Sequence, residues 1–180
     1  MTIEIPDKEL RYGLEKVINP PSLRKQELSK ETLKNIRYLN LNNRNIINLE
    51  GIKWCEKLKV LYLADNSFED ISPLERLPKL QLLDLSMNPQ IHWMSLSRPL
   101  YTVERLFLRS CELPNDLILK YFPNIRQVSL FHNQITQIEY LYDLQHLDSV
   151  DLLHNPIPAV ELEVFYNQTG VGIMEKKQRI

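Results

Sequence analysis

The sequence predicts an α/β solenoid: short parallel strands stacked along one side, return arms along the other, and a helical cap at each end. Three observations carry this prediction. A nine-residue skeleton recurs at near-constant spacing, apolar residues alternate at the start of every recurrence, and helical periodicity appears only before and after the array.

The first element is the leading cap. Leu10, Leu14, Val17 and Ile18 fall on one helical stripe, Asp7 stands where an N-cap belongs, and "NPPS" at 19–22 stops the helix. Such a helix covers the apolar edge of the repeat that follows it.

The repeats come next. "LKVLYLADN" at 58–66 and "LQLLDLSMN" at 80–88 both carry leucine at the first, fourth and sixth places and asparagine at the ninth. Following the skeleton in both directions gives starts at Ile36, Leu58, Leu80, Val103, Ile125 and Leu147, spaced by 22, 22, 23, 22 and 22 residues. A sustained period of this size marks a solenoid, in which no repeat buries its apolar side without its neighbours. The fourth and sixth places, Leu39 and Leu41 in the first repeat and Val150 and Leu152 in the last, alternate with variable residues and define the core face of a strand. The ninth place reads Arg44, Asn66, Asn88, Cys111, Asn133 and Asn155. An asparagine there satisfies backbone groups that an irregular turn would bury unpaired. Apolar residues at the eleventh, fourteenth and seventeenth places, such as Phe68, Ile71 and Leu74, pack the return arm.

Two repeats depart from the rule. Repeat three has one additional residue and reads "PQIHWMSLSRPLY", which predicts a bulge near Trp93; this residue either folds over its own loop or marks a second contact site. Repeat four reads "ELPNDLILKYFPN", which predicts a more fully helical arm. The last element, "PAVELEVFYNQTG", reads as a helix ending at Gly170, with the charged "VGIMEKKQRI" blunting the exposed edge. The expected organisation is a helical cap over 1–35, six repeats over 36–157 and a second cap over 158–180.

These residues resemble the leucine-rich repeat superfamily in its 22-residue class. "NLEGIKWCEKLKVLYLADNSFEDISPLERLPKLQLLDLSMN" is similar to internalin-like repeats of bacterial proteins, and "IPDKELRYGLEKVI" resembles the helical cap that precedes such arrays. The resemblance implies a right-handed leucine-rich repeat solenoid with a concave parallel sheet and a convex side of mixed 3-10 and α turns. It also implies a bacterial origin and a role in binding other proteins.

Function is written in the variable places. The third, fifth and seventh residues of each strand point away from the core, onto the concave face. Tyr38, Val60, Tyr62, Leu82, Arg105, Phe107, Arg109, Phe131 and Leu153 occupy such places, with His132 on the rim beside Met87 and His154. Aromatic residues and arginine are enriched at protein interfaces. The alternation of Arg105, Phe107 and Arg109 along one strand suits a carboxylate beside an apolar side chain. The bland reading is β propensity and ordinary surface exposure, but the residues fall in register across neighbouring strands. The partner expected is a protein or peptide, bound by a monomer. The net charge of −1 sets up no global field for nucleic acid, and no apolar run approaches the roughly 18 residues of a membrane span.

Chemistry finds little support, and neither enzyme activity nor a cofactor is expected. Asp84 and Asp151 share a column three repeats apart, too far for a glycosidase pair. His132 and His154 lie close enough to share a metal, but the matching place one repeat earlier is Ser110. Ser129, His132 and Asp151 make a hydrolytic set on paper only, with no oxyanion hole or cleft indicated. Cys55 and Cys111, also three repeats apart, read as buried thiols. With the polar start of the chain, they fit a cytoplasmic location; export by a signal-independent route, as an effector or adhesin gripping a host protein, is the alternative. A purely structural spacer is the remaining reading.

Overall fold

In the computed structural model, residues 3–21 and 25–174 are described; Ser22 of the predicted stop and the charged residues 175–180 lie outside them. Helix α1 (Lys8–Ile18) starts where predicted, with Asp7 Oδ1 accepting the Leu10 N–H at 2.8 Å. The other oxygen of the same carboxylate accepts the N–H groups of Ile47 and Asn48, at 2.8 and 3.0 Å, and ties the cap to the first repeat. Leu10, Leu14 and Ile18 are buried, but Val17 faces out. The apolar stripe of α1 is therefore narrower than the sequence suggests. A Cβ at Gly13 would collide with the Leu41 side chain, so glycine lets the helix approach the first strand closely. A short α2 (Lys30–Lys34), closed by a capping box between Ser29 and Thr32, completes the cap.

Strands β1 (Tyr38–Asn40), β2 (Val60–Tyr62), β3 (Leu82–Asp84), β4 (Arg105–Phe107), β5 (Gln127–Ser129) and β6 (Ser149–Asp151) pair in parallel, each with its sequence neighbour. Leu82 pairs with Arg105 in the same register as the other strands. The additional residue of repeat three is thus taken up after the strand, not in the sheet. A seventh strand, β7 (Gly172–Ile173), which the sequence reading did not foresee, adds to β6 beyond the last full repeat.

The fourth and sixth places are buried in all six repeats and join one continuous core with the return arms. The ladder asparagines work across repeats. Asn88 Nδ2 donates to the carbonyls of Leu63, Leu85 and Ser86, while its Oδ1 accepts the Asn66 N–H. Asn66, Asn133 and Asn155 likewise donate both to their own turn and to the preceding repeat. Each amide thereby pairs groups that would otherwise be buried unsatisfied. The eighth place is left-handed throughout, with φ between 52° and 60° at Asn43, Asp65, Met87, Ser110, His132 and His154. Where the ninth place is Arg44 or Cys111, the tenth is left-handed as well, at Asn45 and Glu112. Losing the asparagine therefore coincides with a second unusual turn residue.

The convex arms are 3-10 turns at Ile52–Trp54, Ser72–Arg76, Trp93–Ser95, Leu117–Tyr121 and Tyr140–Asp143, followed by α3 (Ala159–Thr169). The arm of repeat four is a five-residue 3-10 turn, longer than the three- and four-residue turns of repeats three and five and equal to that of repeat two, but it is not an α-helix. Pro114 and Pro123 bracket it and leave no N–H donors for a longer helix at those points. Helix α3 closes at Gly170, whose φ of 67° places it in the left-handed region that glycine accepts freely. Trp93 is half-buried against the core, and Ser95 Oγ accepts the Ile71 N–H at 3.2 Å, so this loop is fastened to the preceding turn.

Candidate functional site

The concave face is built by the outward residues of β1 to β6. Because parallel strands hold a common register, residues from successive repeats stand side by side: Tyr38, Val60, Leu82 and Arg105 in one row, Tyr62, Asp84 and Phe107 in the next. Tyr38 is exposed and its ring lies 5.8 Å from that of Tyr62, which is half-buried. Val60 is also half-buried.

Leu82 requires a correction. It was expected to present an apolar surface, yet it is only 4% exposed and does not belong to the core cluster. Alternation sets the direction of a side chain, whereas exposure depends on neighbours. Here Val60 and Arg105 flank Leu82 in register.

On β4 and the turn after it, Arg105 and Arg109 are exposed and Phe107 is half-buried. The Arg109 guanidinium lies 5.2 Å from the Phe107 ring centroid, within cation–π range. Its Nε–H donates to Ser129 Oγ at 2.9 Å, and the Ser129 hydroxyl donates to Asp151 Oδ2 at 2.9 Å. The second oxygen of Asp151 accepts the Leu153 N–H at 3.3 Å. Ser129 and Asp151 are buried although their strand positions face the concave side. The sequence reading missed this buried polar pair as a support for Arg109; its signal is that Ser129 and Asp151 are register partners.

A further group gathers past β5 and β6. The Phe131 ring meets His154 edge-on at 5.0 Å, and His132 stands 6.3 Å from His154. Leu153 and Phe131 are half-buried, and His132 is exposed. The His132 Nδ1 lies 3.1 Å from Ser110 Oγ. Among the described residues, no group of three or more His, Cys, Asp or Glu gathers as a metal site would require. The paper triad is not wired as one, since Ser129 bonds Asp151 directly and His132 bonds Ser110. Burial pushes the Cys55 thiol up to about 12 and the Cys111 thiol up to about 11. Both are free and buried, the opposite of what a thiolate nucleophile needs. Among the described residues, no helix is long and apolar enough to cross a membrane.

This fold, with its stacked strands and asparagine ladder, is a leucine-rich repeat solenoid. The family described as "Leucine Rich repeats (2 copies)" matches residues 56–97. Internalin C2 of Listeria monocytogenes is structurally similar, with a TM-score of 0.71 and 27% identity, covering 86% of this chain and 68% of that one. A disease-resistance-type protein of Arabidopsis thaliana is 32% identical over 59% of this chain, and mouse tubulin-specific chaperone E is 30% identical over 64%. The chain spans 13% and 26% of the lengths of these two relatives.

Proposed function

We propose that the chain is a protein–protein interaction scaffold that holds a protein or peptide partner on its concave face. The observation that carries this reading is the gathering of Tyr38, Tyr62, Arg105 and Phe107 on the outward face of the registered strands β1, β2 and β4, with Arg109 and Phe131 on the turns just past β4 and β5. A pre-organised surface loses little conformational freedom on binding, so a modest number of aromatic and guanidinium anchors suffices. The similarity to leucine-rich repeat proteins supports the same class of role. The reading includes a monomeric, non-catalytic scaffold, and the two buried free thiols support a reducing compartment such as the cytoplasm.

The test is affinity capture from source-organism lysate with wild type and with a combined Tyr62→Ala, Phe107→Ala, Arg109→Ala and Phe131→Ala variant. Circular dichroism and melting first establish that the variant folds. Partners lost only with the variant support the concave site. Partners retained move recognition to the convex side or the caps, and no partner at all favours a structural spacer.

A further inference from the structure

The concave face is chemically uneven along the solenoid axis. Tyr38, Val60 and Tyr62 make β1 and β2 aromatic and aliphatic, whereas Arg105 and Arg109 bring two guanidiniums to β4 and the turn after it. Among the described residues neither arginine has a carboxylate within ion-pair distance, although Lys34, Lys53, Arg11, Arg98 and Arg126 each do. Arg109 is moreover held in place. Its Nε is committed to Ser129, which is anchored by Asp151, and its plane lies near the Phe107 ring. That arrangement leaves the two terminal nitrogens of the guanidinium for an incoming anion, with part of the ordering cost already met.

We propose that this face binds an extended acidic segment of a partner protein, with a side-chain carboxylate on Arg109 and Arg105 and an apolar side chain against Tyr62. The inference rests on the concave-face reading above and adds the partner's chemistry. Spacing follows from the sheet. β2 and β4 are two strand intervals apart, about 10 Å at the usual 4.8 Å, and an extended chain covers that in about three residues. The segment therefore carries Asp or Glu about three positions from an aromatic or aliphatic residue. A carboxylate fits better than a phosphate because Asp84, the register partner of Phe107, places a negative charge nearby that a dianion would meet more strongly.

The experiment pans a phage-displayed random peptide library on the full chain. Enriched peptides are then synthesised and their binding measured by fluorescence anisotropy in low and high salt. Enrichment of acidic–apolar pairs at about that spacing is expected, with affinity falling as salt rises. Arg109→Ala should weaken binding about tenfold or more, and Arg109→Lys several-fold, because an ammonium lacks the planar fork. Asp151→Asn should weaken it less than Arg109→Ala while leaving the melting temperature nearly unchanged. The proposal is overturned if no enriched peptide depends on the two arginines, or if only phosphoserine versions bind. Peptides insensitive to the arginines but lost with Tyr62→Ala and Phe131→Ala would leave the concave-face reading standing and remove only the acidic partner. Peptides insensitive to all four positions would remove both.

Discussion

The two ends of the solenoid face the same problem, an apolar repeat edge without a neighbour, and they solve it to different degrees. At the leading end, α1 buries Leu10, Leu14 and Ile18, and the Asp7 carboxylate takes three backbone N–H groups, two of them from the first repeat. At the trailing end, α3 fully buries only Phe165, which packs edge-on against Tyr142 at 5.0 Å. Val160 is 66% exposed and Tyr166 55%, and β7 contributes just two residues. A hollow of about 690 Å³, lined by Leu153, Leu162, Tyr166 and Ile173 among others, remains between α3 and the last strands. The leading cap is thus a sealed end, and the trailing cap is a seat held mainly by one aromatic ring. Local opening free energy follows buried apolar contact and protected backbone bonds. The trailing end should open first.

The largest expected effect breaks the weaker end outright. Phe165→Ala removes a fully buried ring and should destabilise the protein by about 3–5 kcal/mol. In hydrogen exchange, protection should fall first across residues 159–174, while the amides of Ile47 and Asn48 keep theirs. Simultaneous loss at both ends would show a single cooperative unit and erase the distinction. Next in size, Asp7→Ala removes an N-cap and leaves two cross-repeat N–H groups without an acceptor, a cost of about 2–3 kcal/mol in urea denaturation. Asp7→Asn keeps one accepting oxygen and should cost about half as much. A change within about 0.5 kcal/mol for Asp7→Ala would mean the seal is hydrophobic alone.

How much of this was legible in advance differs between skeleton and filling. The strand positions, their register and the role of the asparagines were readable because stacking forces the same residue types to recur at the same places. Strand β7 was not, since the ninth-place asparagine and the sixth-place leucine of a further repeat are both missing after Gly170. Val17 and Leu82 were assigned the right element and the wrong exposure. Periodicity tells which way a side chain leaves the backbone, but the reach of neighbouring side chains decides whether water meets it. The concave candidates were visible as a pattern in register. The Ser129–Asp151 pair behind Arg109 was not, because a hydrogen-bonded chain depends on rotamers that no spacing encodes.

The smallest effect tests whether a stitched carboxylate carries a cost as well as a gain. Asp116, on the arm of repeat four, does between two internal repeats what Asp7 does at the cap: its Oδ2 accepts the Leu141 N–H at 2.9 Å. It is 1% exposed, and burial pushes its carboxyl above the usual range, against the opposing pull of backbone N–H groups. A raised pKa means that the folded protein holds this proton more tightly than the unfolded chain does. The stability Asp116 contributes through protonation is therefore fully present below the unfolded value, about 3.9, and is lost as pH rises through the folded one. Asparagine keeps an acceptor for Leu141 without the charge. Asp116→Asn should accordingly gain stability relative to wild type as pH rises above about 4, and show little difference below it. Chemical denaturation of both proteins across pH measures this difference directly. A variant that instead loses stability steadily toward neutral pH would show that the ionised Asp116 carboxylate is a net fastener between adjoining turns.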